Sequence, residues 1–134
     1  MNKKEEIREW HKYGLNDYNT AVFLQNMTPP PLEIICYHCQ QAAEKYLKSF
    51  LVLKNEPVMK THDLSFLAEI CIKIDSDFES IIQSCEELTD YSISTRYPSN
   101  IEINLADMKK AILDCEKVMQ FIEKKIKSIS DGKE

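Results

Sequence analysis

One stretch of this sequence concentrates side chains that could hold an anion. We wind Cys36-Tyr-His-Cys-Gln-Gln-Ala-Ala-Glu-Lys-Tyr-Leu-Lys-Ser-Phe-Leu51 at about 100° per residue. Cys36, Cys39, Ala43, Tyr46, Leu47 and Phe50 then gather on one side. Tyr37, Gln41, Glu44, Lys45, Lys48 and, at the edge, His38 fall on the other. The first set should meet a core. Along one edge of the second, the amide and ammonium donors of Gln41, Lys45 and Lys48 could grip phosphate or carboxylate oxygens. The plain alternative is a solvated face on which Glu44 and Lys48, four residues apart in the favourable order, form a pair worth about 0.2–0.5 kcal/mol. His62 beside a helix start and Arg96 near a helix end have plain readings too, as a capping or loop residue and as a donor to the last carbonyls.

The same stretch contains Cys36-x-x-Cys39 with His38 inside it. A zinc site would need about two more ligands at matching spacing, and no second C-x-x-C or H-x-x-x-H occurs. A thioredoxin-type redox pair would want a βαβ setting, which the pattern lacks, so both cysteines read as packing residues and no metal is expected. A di-iron bundle needs Glu-x-x-His pairs, and no Glu is followed by His at that spacing. Two glycines are too few for a phosphate-binding loop or a nucleophile elbow. No catalytic residue and no cofactor is assigned.

Five helices would position these residues. Ile7, Trp10, Gly14, Tyr18, Ala21 and Val22 mark a first helix from about Lys4 to Gln25, stopped by Asn26 and the Pro29-Pro30-Pro31 connector. Pro31 suits the first turn of a second helix, about Leu32 to Lys54, closed by Asn55-Glu-Pro57. A third opens near a Thr61 cap with Asp63 in its first turn and carries Leu64, Leu67, Cys71 and Ile74. A Ser76-x-x-Glu79 capping box precedes a fourth with Phe78, Ile81, Ile82, Cys85 and Leu88, which must end by Tyr97-Pro98. The fifth starts at an Asn104-x-x-Asp107 cap and runs Leu105, Met108, Ile112, Cys115, Met119, Ile122, Ile126, Ile129, widened by Ala111 and Val118. Phe121 lies roughly opposite that stripe and is expected to be exposed, either as a lone surface aromatic or as part of a dimer contact. The expected fold is all-α: an antiparallel up-and-down bundle of four long helices plus one short helix.

Composition agrees. At 134 residues the chain fits one domain over 1–134, with 130–134 as a frayed tail. Hydrophobic residues at 43% and charged residues at 29% are an ordinary globular balance. The net charge of −5 argues against non-specific nucleic-acid binding. Five cysteines at helical apolar positions read as reduced thiols, and no run approaches the roughly 20 apolar residues of a membrane span. A cytoplasmic location is expected, with no membrane partner.

Taken together, Tyr37-His38-x-x-Gln41-Ala42-Ala43-Glu44-Lys45-x-x-Lys48, then Thr61-His62-Asp63-Leu64, then Thr95-Arg96-Tyr97-Pro98 before a long last helix, resemble the HEPN domain family over nearly the whole chain. The resemblance implies a small prokaryotic protein paired with a minimal nucleotidyltransferase in a two-component or toxin–antitoxin system, a nucleotide ligand and a homodimer. The implied ligand-binding set is Tyr37, Gln41, Lys45, Lys48, His62, Arg96 and Tyr97, with Lys45, Lys48, His62 and Arg96 converging on one cleft. Some relatives are metal-independent ribonucleases with an Arg-x4–6-His motif. Here Arg96 is followed by Tyr97-Pro-Ser-Asn-Ile-Glu-Ile-Asn104, without histidine, so enzyme action by that route and an RNA partner are not favoured. The competing readings are a pure protein-interaction bundle and a diverged ribonuclease using His62.

Overall fold

The computed structural model describes residues 1–92 and 102–132. Arg96, Tyr97 and Pro98 lie outside them, so the expectations placed on those three residues do too. The helices are α1 (Lys3–Leu24), α2 (Leu32–Leu53), α3 (Leu64–Ile74), α4 (Ile82–Thr89) and α5 (Leu105–Ser130), with a 3-10 turn at Ser76–Ile81 leading into α4. Among the described residues there is no strand, and the architecture is the expected bundle of four long helices and a short one. No helix there is long and apolar enough to cross a membrane.

Each boundary has a local cause. The Asn2 side chain accepts from the Glu5 N–H and starts α1. Pro31 stands at the cap of α2, and its carbonyl takes the Ile35 N–H at 3.0 Å. At the other end of α2, Asn55 sits at φ 60°, a left-handed conformation that asparagine tolerates. The Asn55 and Glu56 N–H groups turn back to the Val52 and Leu51 carbonyls, satisfying acceptors the helix leaves open. Asp63, rather than Thr61, caps α3 by accepting from Phe66 N, while the Thr61 hydroxyl accepts from Asp63 N. Likewise Asp75, not a Ser76 box, holds the 3-10 turn by accepting from Asp77 N. At α5 the Asn104 and Asp107 side chains cap each other's backbone N–H, as the spacing predicts.

Helix α2 is the axis of the bundle, with α1, α3, α4 and α5 all against it. Its surroundings bury Cys36, Cys39, Ala43, Tyr46, Leu47 and Phe50, the predicted core face, and also Gln40, Glu44, Lys48 and Ser49. The expectation of a water-facing opposite side is therefore corrected for Glu44 and Lys48, because α1 and the approach to α3 cover that side. Phe121 is corrected as well. Its ring meets Phe78 edge-on at 4.9 Å, and Phe78 in turn packs on Phe50 at 4.4 Å, so the 3-10 turn supplies the apolar neighbour that the stripe of α5 lacked. Leu105 and Val22, both expected in core stripes, are exposed. All five cysteines are buried. Burial pushes the Cys36, Cys71 and Cys85 thiols up to about 12, which keeps them protonated packing groups.

Candidate functional site

The buried polar face of α2 is built around Glu44. Its side chain is 5% exposed, yet four donors surround it. Lys48, one turn on, reaches Oε2 at 2.9 Å, the intrahelical pair expected from the sequence. His62, in the segment before α3, donates Nδ1–H to Oε1 at 2.8 Å. The amides of Gln40 and Gln41 approach Oε1 at 3.3 and 3.4 Å. Gln40 also donates to the His62 carbonyl at 2.8 Å, and its own oxygen accepts from Gln41 at 2.7 Å. The network thus ties α2 to the α3 approach at both the side chain and the backbone of His62. The ammonium of Lys48 stands 5.8 Å from the Trp10 ring centre, so an α1 aromatic roofs the pair.

A second carboxylate organises the neighbouring strip. Asp17 of α1 takes His38 Nδ1–H on Oδ1 at 2.9 Å and Lys45 on Oδ2. Tyr37 meets the His38 ring edge-on at 5.5 Å. The structure therefore brings Lys48, Gln41 and His62 together at Glu44 and directs Lys45 to Asp17 with His38 and, beside them, Tyr37. Arg96 and Tyr97 are outside the described residues.

Three residues of this arrangement are given no part in the site by the sequence pattern. Gln40 falls between the two faces of α2 in projection, and only its contact with the His62 carbonyl gives it a role. Asp17 and Trp10 belong to the stripe side of α1, and nothing in their spacing announces that they face Lys45 and Lys48. Chemically, the site is a set of positioned donors around two carboxylates. Lys48 and Lys45 have their charge balanced within the bundle, and His62, 55% exposed at its side chain, is the member most open to solvent.

Further along α2, Tyr46 is stacked on His11 of α1 with ring centres 4.5 Å apart and 7° between planes, and its hydroxyl donates to Glu123 of α5 at 3.0 Å. His11 Nε2 lies 2.8 Å from Ser49 Oγ. Because that hydroxyl donates to the Tyr46 carbonyl at 2.6 Å, His11 must be the donor of the pair. Burial lowers the His11 pKa, with Glu123 acting in the opposite direction.

Comparison with known proteins adds a family and a fold. The model of the HEPN domain matches residues 7–126. No curated protein matches the sequence. The chain is similar in structure to TT1696 from Thermus thermophilus, known from a crystal structure, with a TM-score of 0.74 and 24% identity over 89% of this chain and 97% of that one. At that identity the likeness speaks for the bundle alone.

Proposed function

This chain belongs to the HEPN domain family, and on that premise we propose that it is an accessory bundle working beside a minimal nucleotidyltransferase. The pair would form a two-component or toxin–antitoxin system in the cytoplasm, with this protein as a homodimer that binds a nucleotide. The ligand would sit where His62 meets Glu44 and Lys48, with Gln41, Lys45 and Tyr37 on α2, and Arg96 and Tyr97 completing the grip. The observation that carries this reading is the Glu44 network: a carboxylate and an ammonium ion taken out of water and held by side chains 18 residues apart in sequence. Burying such a pair does little for stability, since well-packed apolar residues generally serve as well or better. Polar residues gathered there, with the His62 side chain 55% exposed, are more readily understood as a site.

The charge balance defines which residues do the work. With Glu44 opposite Lys48 and Asp17 opposite Lys45, attraction for a phosphate rests on His62 and Arg96. Arg96 offers a planar two-point fork and His62 a ring nitrogen. That same balance favours a second reading, in which the bundle binds no nucleotide and only docks against its partner through this edge. Calorimetry with ATP on the purified chain separates the two. Binding heat should appear, with affinity lowered in Arg96→Ala by about 1.5–3 kcal/mol, the scale of a charge-assisted bond, and reduced in His62→Ala. No heat from the isolated chain, together with a stable complex with a co-expressed minimal nucleotidyltransferase, would favour the docking reading instead.

A further inference from the structure

The charges of α1 largely part between two cavities, although Lys3 also lines a third with Glu6 and Glu56. Glu6 and Glu9 border an aromatic groove with Trp10 and Tyr13, whereas Lys3, Lys4, Arg8 and His11 border a cleft of about 570 Å³ at the end of the bundle, where α1 begins and α2 and α5 finish. Its apolar floor is Ile7, Leu53 and Ile126, one residue from each of the three helices. No carboxylate is among the lining residues, although the chain has 22 acidic residues against 17 basic ones. From this cationic lining over an apolar floor we propose that the cleft is a binding site for a small organic anion, an apolar body carrying a phosphate or carboxylate head. It shares no residue with the Glu44 corner and does not depend on the function proposed above.

The bland account of such cations is that they answer the carbonyl ends of α2 and α5. Lys3 does so, donating to the Leu53 carbonyl at 3.2 Å. Arg8 and Lys4 do not: among the described residues neither side chain makes an ion pair or a hydrogen bond. Arg8 therefore keeps its planar fork for a ligand oxygen, a geometry that suits both phosphate and carboxylate. His11, fixed by its bond to Ser49 and its stack on Tyr46, forms a rigid inner wall. The volume is within the usual range for small-molecule sites, about 300–1,000 Å³. A mixed lining of this kind selects against fully hydrated ions, whose shell the floor cannot replace, and for a head that meets the cations while an apolar body covers Ile7, Leu53 and Ile126.

The test is a titration of the full-length protein, isotope-labelled at histidine, with 1-naphthyl phosphate, 1-naphthoate and inorganic phosphate, read from the His11 ring resonances. At least one naphthyl probe should move His11 saturably and bind about tenfold more tightly than inorganic phosphate, a factor worth about 1.4 kcal/mol. The tighter of the two naphthyl probes identifies the head group. Arg8→Gln, an exposed change, should weaken that probe about tenfold as one charge-assisted contact is lost, while Lys109→Gln on α5 leaves it unchanged. Ile126→Glu should abolish binding while a circular dichroism melt shows that the bundle remains folded. His11 resonances unmoved by either naphthyl probe would overturn the proposal. So would inorganic phosphate binding as tightly as the naphthyl probes, or equal affinity in Arg8→Gln.

Discussion

Gly14 of α1 lies against the ring of Tyr46 of α2 so closely that a β-carbon there would stand 2.8 Å from both Cδ1 and Cε1. This contact lets α1 close on the bundle axis. The ring has little room to retreat, being buried, stacked on His11 and anchored to Glu123 through its hydroxyl.

Two effects compete in Gly14→Ala. A mid-helix alanine gains about 1 kcal/mol of helix propensity. Forcing a methyl group into a filled interface costs about 1–3 kcal/mol. With Tyr46 held on three sides the clash should win, giving a net loss of about 1 kcal/mol in a urea melt, and Gly14→Val should lose more. An alanine variant more stable than the parent would show that the Tyr46 ring moves freely.

The buried pair makes a second prediction. Glu44→Ala leaves Lys48 and the His62 ring without their acceptor, and Lys48→Ala leaves a buried carboxylate short of its principal cation. Either change should cost about 3–5 kcal/mol, the usual cost of breaking a buried ion pair. The double change Glu44→Leu, Lys48→Met should recover most of that loss, since it removes both desolvation penalties at once. Denaturant melts of the three variants check this. A double variant no more stable than the singles would show that the network holds the α2–α3 junction in a way apolar packing cannot replace.

How far these features are legible in the sequence follows from geometry. A repeat of three and four reports which residues share a helix face, so α5 can be read from Met108 to Ile122 before any coordinates. The same repeat assumes that a helix has a wet side. For α2 that assumption fails, because α1 covers the face carrying Lys45 and Lys48, and the spacing cannot reveal that Trp10 roofs Lys48. Phe121 is misplaced by the pattern for a similar reason: its partner Phe78 is on a 3-10 turn whose approach no periodicity encodes. Capping is half legible. Asn104 and Asp107 form the expected reciprocal pair, whereas Asp63 and Asp75 displace the neighbouring hydroxyl residues, a choice of one or two positions that local patterns do not resolve. That His62 comes to the side of α2 carrying Lys48 is legible only through the family resemblance, and its bond to Glu44 not at all, since a contact across a loop leaves no period.

Stability should depend on pH through His11. Burial lowers its pKa below the usual 6.5, Glu123 opposing, so the unfolded chain takes up this proton at a higher pH than the folded protein does. Above pH 6.5 the contribution is fully present, and it is lost as pH falls from there toward the folded-state value. The slope from one such group is at most about 1.4 kcal/mol per pH unit. Urea midpoints at pH 7.5 and 5.5 should differ more for the parent than for His11→Gln, which keeps a donor for Ser49 but does not titrate. Asp75, whose carboxyl is lowered despite burial by its bonds to Lys125 and the Asp77 backbone, adds an acid loss at lower pH common to both proteins. Equal pH sensitivity in the two proteins would show that His11 titrates in the folded protein as it does in the unfolded chain, without a shift from burial.

The last prediction is that the purified protein does not cleave RNA by the arginine–histidine route. Cleavage through attack of a 2′-hydroxyl needs one group to take that proton and another to protonate the departing oxygen. Arg96 stays charged at every accessible pH, so it can steady negative charge but cannot shuttle protons. Histidine is the natural shuttle near neutrality, and positions 101 to 103, where the motif would place one, hold Ile101, Glu102 and Ile103. The chain's three histidines all precede Arg96, and each is already engaged: His11 with Ser49, His38 with Asp17, His62 with Glu44. Of these, His62 is more exposed at its side chain than His38, 55% against 25%, and a carboxylate-held imidazole is the one arrangement here that could stand in as a base. An RNA-degradation assay on the parent, Arg96→Ala and His62→Ala decides the matter. The expected result is no cleavage above a heat-denatured control in any of the three. Cleavage by the parent that vanishes in Arg96→Ala would prove the prediction wrong, and its loss in His62→Ala as well would name the base.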